Sequence, residues 1–330
     1  MSEPRTGALV VGVIGTGGIA GAHGPGWVEA GVDLHAYSLE GAPAFGERFG
    51  ATVHESLDSL LAAVDVVDIC TPTPVHAEIA HRALDAGCHV ICEKPLTRTL
   101  ADAEALLEHA ERAGKLLFPA HVVRYFPQYA AAKAAIDAGA IGTPAVLRYE
   151  RTGQFPRMPW FADQESSGGI VMDQMIHDID QAIWVAGPVA SVYAREHVAA
   201  DNGEVRTAHV VLTHGSGAIS HCRGFWGPAG TEFRYGFSLA GDRGRLDYDS
   251  ADDSSVRFDA VASSGAGGDG DALLPDISGM RSPYAEEILD AVAALSTGTT
   301  PRVAAADGLA AVRASLAALE SLATGRSIPC

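Results

Sequence analysis

Between Ala8 and Ala120 the sequence alternates short apolar runs with segments of helical spacing, and this pattern constrains the fold more than any other feature. Strand-like runs fall at Ala8–Ile14, Asp33–Ser38, Val64–Cys70, His89–Cys92 and Lys115–Ala120. Helical patterns lie between them at Gly18–Ala30, Ala42–Phe49, His76–Ala86 and Leu100–Ala113. Such alternation builds right-handed βαβ units and a doubly wound parallel sheet, the α/β architecture of a Rossmann domain. After His121 the rhythm changes. A helix is expected at Tyr129–Ala138, a strand at Pro144–Arg151, a long loop over Gly153–Gly169 and one continuous helix over Ile170–Val185. Strands then follow at Ser191–Glu196, Arg206–Thr213, Ala218–Phe225, Arg234–Ala240, Arg245–Tyr248 and Val256–Val261, before closing helices at Tyr284–Leu295 and Ala305–Ala323. This predicts two domains, 1–121 and 122–330, the second an α+β unit on a large, mostly antiparallel sheet.

The first strand runs into Gly15-Thr16-Gly17-Gly18-Ile19-Ala20, a G-x-G-x-x-A turn that opens a helix. Gly15 permits the tight turn, Gly17 lets the backbone approach a pyrophosphate, and Ala20 keeps the helix close to its strand. The anion would rest on free N–H groups at the positive end of the helix dipole. The second strand of such a unit usually ends in an acid that holds the ribose 2′-OH. Here it ends at Ser38, with Glu40 beyond it. The missing carboxylate removes repulsion against a 2′-phosphate, and no arginine stands beside it to attract one. NAD and NADP both remain open.

Cys92-Glu93-Lys94-Pro95 follows the fourth expected strand, and Thr71-Pro72 with His76 follows the third. In open α/β sheets ligands bind at the carboxyl ends of strands, so Lys94 would point into the cofactor crevice. Asp173 and His177, four apart on an expected helix, would share one face.

The net charge of −18 argues against nucleic acid or anionic membranes as partners. No apolar run approaches the roughly 18–20 residues that span a bilayer, and the N-terminus lacks a signal-peptide pattern. Five cysteines (70, 88, 92, 222 and 330) form no framework spacing. They read as reduced thiols of a cytoplasmic protein, with Cys88 and Cys92 in the core, and no metal site is expected.

The G-x-G-x-x-A turn, Thr71-Pro72…His76, Ala86-Gly87-x-x-Val90…Glu93-Lys94-Pro95 and Gly168-Gly169…Asp173-x-x-x-His177 occur in this order. Together they resemble the glucose–fructose oxidoreductase / inositol dehydrogenase / MocA (Gfo/Idh/MocA) family over nearly the whole chain. The resemblance implies a dehydrogenase for a sugar, inositol or related polyol, with Lys94, Asp173 and His177 meeting at the nicotinamide. Gly15, Gly17, Gly18, Ile19, Ala20, Ser38, Thr71, Pro72, His76, Glu93 and Lys94 would line the cofactor site. Arg124, Tyr125 and Trp160 would face the substrate; Trp160 could stack on a sugar ring or serve packing. An imidazole with an ordinary pKa near 6.5 suits His177 to proton exchange, and an ammonium at Lys94 would stabilise the developing oxyanion. Asp173 would bind a neighbouring hydroxyl or hold the other two in place. Two alternatives stand beside this: an NAD-dependent glycosidase that works by transient oxidation, and a non-catalytic dinucleotide-binding regulator. A homodimer or homotetramer is expected, because a sheet covered on one face would leave the other apolar.

Overall fold

The computed structural model describes residues 8–199, 203–251 and 281–330. The expected strand Val256–Val261 lies outside these residues. Two compact units emerge, and they are not consecutive blocks of sequence. The first comprises 8–97, 101–125 and 281–306; the second comprises 98–100, 126–199, 203–251 and 307–330.

The first unit holds six parallel strands: β1 (Val10–Ile14), β2 (Asp33–Tyr37), β3 (Thr52–Val53), β4 (Val66–Ile69), β5 (His89–Glu93) and β6 (Leu117–Ala120). Their order is β3-β2-β1-β4-β5-β6, so the chain reverses its direction of travel between β1 and β4. The helices are α1 (Gly18–Ala30), α2 (Ala42–Phe49), α3 (Leu57–Leu61), α4 (His76–Asp85) and α5 (Leu100–Ala113). Strands covered on both faces read as continuous apolar runs, which is why β4 and β5 were visible in the sequence. β3 and α3 are too short to carry a periodic signal.

The C-terminal segment contributes α11 (Pro283–Thr297) to this same unit. Its Ile288 and Ala291, with Val303, join Val11, Val13, Trp27, Val66, Ile91 and Phe118 in one hydrophobic core. Gly26 of α1 permits the approach: a Cβ there would lie 2.9 Å from Ala285 Cα and 3.0 Å from Ile288 Cβ. Arg124 and Tyr125 secure the same segment. The Tyr125 hydroxyl donates to Asp290 at 2.6 Å, the Arg302 guanidinium covers its ring at 4.4 Å, and Arg124 donates to the Arg302 carbonyl at 3.2 Å.

Among the described residues the second unit holds seven strands in the order β12-β11-β7-β10-β9-β8-β13. They are β7 (Pro144–Gln154), β8 (Val189–Val198), β9 (Arg206–His214), β10 (Ile219–Gly227), β11 (Arg234–Gly241), β12 (Arg245–Asp249) and β13 (Ile328–Pro329). Only β7 and β10 pair in parallel. Its helices are α6 (Pro127–Asp137), α7 (Pro159–Ala162), α8 (Gln164–Ser167), α9 (Gly169–Asp173), α10 (Ile176–Ala186) and α12 (Ala305–Thr324). Along β7 the inward positions Leu147, Tyr149 and Arg151 are buried, and the alternate positions Val146, Arg148 and Glu150 are exposed. The opposite face of the sheet is therefore not the apolar surface expected. Val146 and Ile219 share it with Arg148, His221 and an Arg223–Glu150 pair 2.6 Å apart. A groove of about 690 Å³ on this face is lined with charged residues, including Arg234, Asp247 and Asp249.

Candidate active site

The Gly15–Ala20 turn has the form that an anion requires. Gly15 adopts φ +85°, where a side chain would be strained, and a Cβ would meet Thr71 Cγ2 at 2.9 Å. Its N–H donates to the Tyr37 carbonyl, tying the turn to the end of β2. Gly17 precedes α1 with no side chain capping the helix, and open space lies where its Cβ would be. The first-turn N–H groups of Gly18, Ile19 and Ala20 thus have no capping side chain, as a site for a pyrophosphate needs. Ser38 follows β2, and Thr16 Oγ1 donates to the Glu40 carbonyl beside it. On this geometry the turn fits a dinucleotide.

Thr71 and Pro72 leave β4 at the neighbouring strand end, and Lys94 leaves β5. The Lys94–Pro95 peptide is cis, and Lys94 is half-buried. His76 stands behind this loop. Its Nδ1 lies 3.0 Å from the Pro95 carbonyl and its Nε2 2.8 Å from the Thr71 carbonyl, so both ring nitrogens face main-chain oxygens and the one N–H of the neutral ring donates to one of them. Burial lowers its pKa below the ordinary value. Glu93 also turns inward: Oε2 accepts the Lys94 N–H at 3.0 Å, and Oε1 lies 3.3 Å from His23 Nε2. Both residues brace the loop that carries Lys94.

Beneath the loop lies a buried polar group that motif reading missed. His23 of α1 is fully buried, with Nδ1 2.9 Å from Asp68 Oδ2. Trp27 Nε1–H donates to the same oxygen at 2.7 Å, and Cys70 Sγ lies 3.4 Å from the other. Burial alone would lower the His23 pKa, but the Asp68 carboxylate and the Cys70 thiol outweigh it and raise the pKa well above the usual value. The signal was present in the sequence, since Asp68 is a charged residue inside an otherwise apolar strand.

In the second unit Asp173 and His177 do not share one helix. Asp173 is the last residue of α9 and His177 the second of α10. Gln174 and Met175 form a wider turn in which the Met175 N–H donates to the Ile170 carbonyl, five residues back. Met175 is held by packing, because a Cβ on Gly224 of β10 would lie 2.7 Å from its sulfur. Both Asp173 and His177 are half-buried. Next to His177, Asp178 is fully buried and pairs with Arg151 of β7 through contacts of 2.9 and 3.3 Å. Burial alone would lower the Arg151 pKa, but the carboxylate raises it above the ordinary value. The rings of Tyr235 and Phe233 lie 5.7 and 5.8 Å from the guanidinium.

The substrate-lining expectations need correction. Arg124 and Tyr125 are 1% and 3% exposed and hold the C-terminal segment, so neither forms an open wall. Trp160 stacks on Phe161 at 3.8 Å and is half-buried.

Residues 9–121 match the oxidoreductase family GFO_IDH_MocA, described as an NAD-binding Rossmann fold, and residues 129–247 match the GFO/IDH/MocA C-terminal domain. The chain belongs to the Gfo/Idh/MocA family. It is 32% identical over 276 residues to a myo-inositol 2-dehydrogenase of Thermotoga maritima, covering 80% of this chain and 79% of that protein. An inositol 2-dehydrogenase of Rhizobium meliloti is 30% identical, with 87% of each chain covered. Among solved structures, GenD2 from gentamicin A biosynthesis, in complex with NAD, matches with a TM-score of 0.86 and 26% identity, covering 100% of this chain and 98% of that one. This Gfo/Idh/MocA member is therefore an NAD(P)-dependent dehydrogenase. No helix among the described residues is long and apolar enough to cross a membrane.

Proposed function

We propose that this chain moves a hydride between a bound nicotinamide dinucleotide and a secondary alcohol or ketone of a sugar, inositol or related polyol. The observation that carries the reading is the family-type Glu93-Lys94-Pro95 loop leaving β5 at the carboxyl end of the Rossmann sheet. The similarity to proteins named as inositol dehydrogenases supports the substrate class. The dinucleotide, held by the Gly15–Ala20 turn, supplies hydride transfer. Lys94 would donate a hydrogen bond to the substrate oxygen and stabilise charge developing there. His177 would take or return the hydroxyl proton, and Asp173 would bind a neighbouring hydroxyl. The odd, unpaired set of thiols suits a cytoplasmic enzyme.

The test is a titration with NAD(H) and NADP(H), followed by a panel of polyols and sugars monitored at the nicotinamide absorbance. Failure to bind either dinucleotide, or binding without turnover on any member, would count against the reading. Ser38→Asp is expected to move the preference toward NAD by about tenfold, because a carboxylate there binds the 2′-hydroxyl and repels a 2′-phosphate. An unchanged NAD/NADP ratio would remove Ser38 from the cofactor site.

The open face of the seven-stranded sheet would join copies of the chain in a homodimer or homotetramer. The exposed Val146 and Ile219 supply apolar area there, and Arg148 and Glu150 supply complementary charge. A monomer by light scattering at micromolar concentration would exclude this assembly.

A further inference from the structure

We propose that His23 is a positioning residue for Lys94, acting as a cationic strut between the carboxylates of Asp68 and Glu93. The inference rests on the reading of Lys94 as a catalytic group and adds the part that aims it. Three elements of the first unit converge on one imidazole. His23 comes from the second turn of α1, Asp68 from the middle of β4, and Glu93 from the end of β5. The ring places Nδ1 in a 2.9 Å hydrogen bond with Asp68 Oδ2 and brings Nε2 within ion-pair distance, 3.3 Å, of Glu93 Oε1 without hydrogen-bond geometry. A neutral imidazole carries one N–H and could serve only one of these carboxylates as a donor. An imidazolium donates to Asp68 and also brings its positive charge within ion-pair reach of Glu93.

The surroundings favour the charged form. Asp68 is fully buried, so its charge is screened little by solvent. Trp27 Nε1–H fixes the oxygen that faces the ring. From α11, the ring of Tyr284 lies 5.8 Å from that of His23, and Glu287 is fully buried one turn further on. Burial pushes the Glu287 carboxyl well up toward its neutral form, with His23 the principal opposing charge. Burial likewise pushes the Cys70 thiol up, so it stays protonated. His23 thus lies against the carboxyl groups of Asp68 and Glu93, while burial pushes Glu287 and Cys70 toward their neutral forms.

The mechanical consequence follows from the two oxygens of Glu93. With Oε1 drawn toward the His23 charge at 3.3 Å, Oε2 accepts the Lys94 main-chain N–H at 3.0 Å. That contact sets the direction in which the chain leaves β5. It also ties the Lys94 loop to the helix whose first turn receives the dinucleotide, so cofactor and lysine share one rigid reference.

Histidine-selective ¹⁵N labelling reads the charge state directly, with His23→Gln identifying the resonances. His23 is expected to remain doubly protonated at pH 7.5 and to become neutral in Asp68→Asn, which keeps the shape of the side chain. In Asp68→Asn and Glu93→Gln, kcat is expected to fall about ten- to a hundredfold through lost alignment, while the dissociation constant of the dinucleotide, read by fluorescence, stays within about twofold. A neutral His23 in the parent protein overturns the proposal without any variant having to fold. So does a kcat within about twofold of the parent in both variants. Near-normal turnover in Lys94→Ala would instead sink the reading of Lys94 and leave the imidazolium measurement standing.

Discussion

Lys94→Ala is expected to lower kcat by about 10²–10³-fold while leaving dinucleotide affinity nearly unchanged. Removing one preorganised donor from a developing oxyanion has a cost of that order, and the turn proposed to hold the dinucleotide, Gly15–Ala20, follows another strand. His177→Ala should fall by about 10²–10⁴-fold, the usual contribution of a positioned acid–base group. If the two residues act on one proton and one oxygen, their effects will not add. The double variant should then be little slower than the worse single one. Stopped-flow measurement of the hydride step separates this from product release. Turnover near the parent value in either single variant would remove that residue from the chemistry.

The second large effect concerns stability. Asp178→Asn should destabilise the second unit by about 3–5 kcal/mol, because it strands the Arg151 charge in a dry site. Arg151 is 2% exposed, and Asp178 is its carboxylate partner at 2.9 Å. At roughly 2–4 °C per kcal/mol for a unit of this size, the midpoint of thermal unfolding should drop by about 10 °C. Replacing both partners with apolar residues, Arg151→Met with Asp178→Leu, should recover much of that loss, since neither charge is then left buried. A drop of less than about 2 °C in Asp178→Asn would mean that the guanidinium finds water or another acceptor. Because His177 adjoins Asp178, activity should be followed below the lowered midpoint, where loss of fold is not the cause.

Much of this was legible in the sequence. The parallel strands announce themselves because burial on both faces leaves them uniformly apolar, and the Gly15 turn because its backbone demands glycine locally. The seven-stranded sheet was read nearly strand by strand from alternation and turns. What escaped depends on partners distant in the chain. The break at Gln174–Met175 is set by packing against Gly224, which no helical periodicity encodes. Arg124 and Tyr125 were expected as pocket walls from their place just past the last strand of the parallel sheet and from the family resemblance; their partners Asp290 and Arg302 lie far along the sequence. For His23, Glu93 and His76, side chains that motif reading assigned outward or passed over are turned inward to hold a loop.

The return of α11 to the first unit also sets an order of events during synthesis. On the ribosome, β1 to β6 emerge long before Pro283 does. The side of the nascent core around Trp27 must wait for Ile288, Ala291 and Val303 before it is sealed from water. Domains generally fold as units as they are made, yet here the N-terminal unit is completed only after the second has been almost entirely translated. The cell therefore cannot obtain a finished dinucleotide-binding half from a message cut short after β6, and a prematurely terminated chain would present apolar surface to chaperones and proteases.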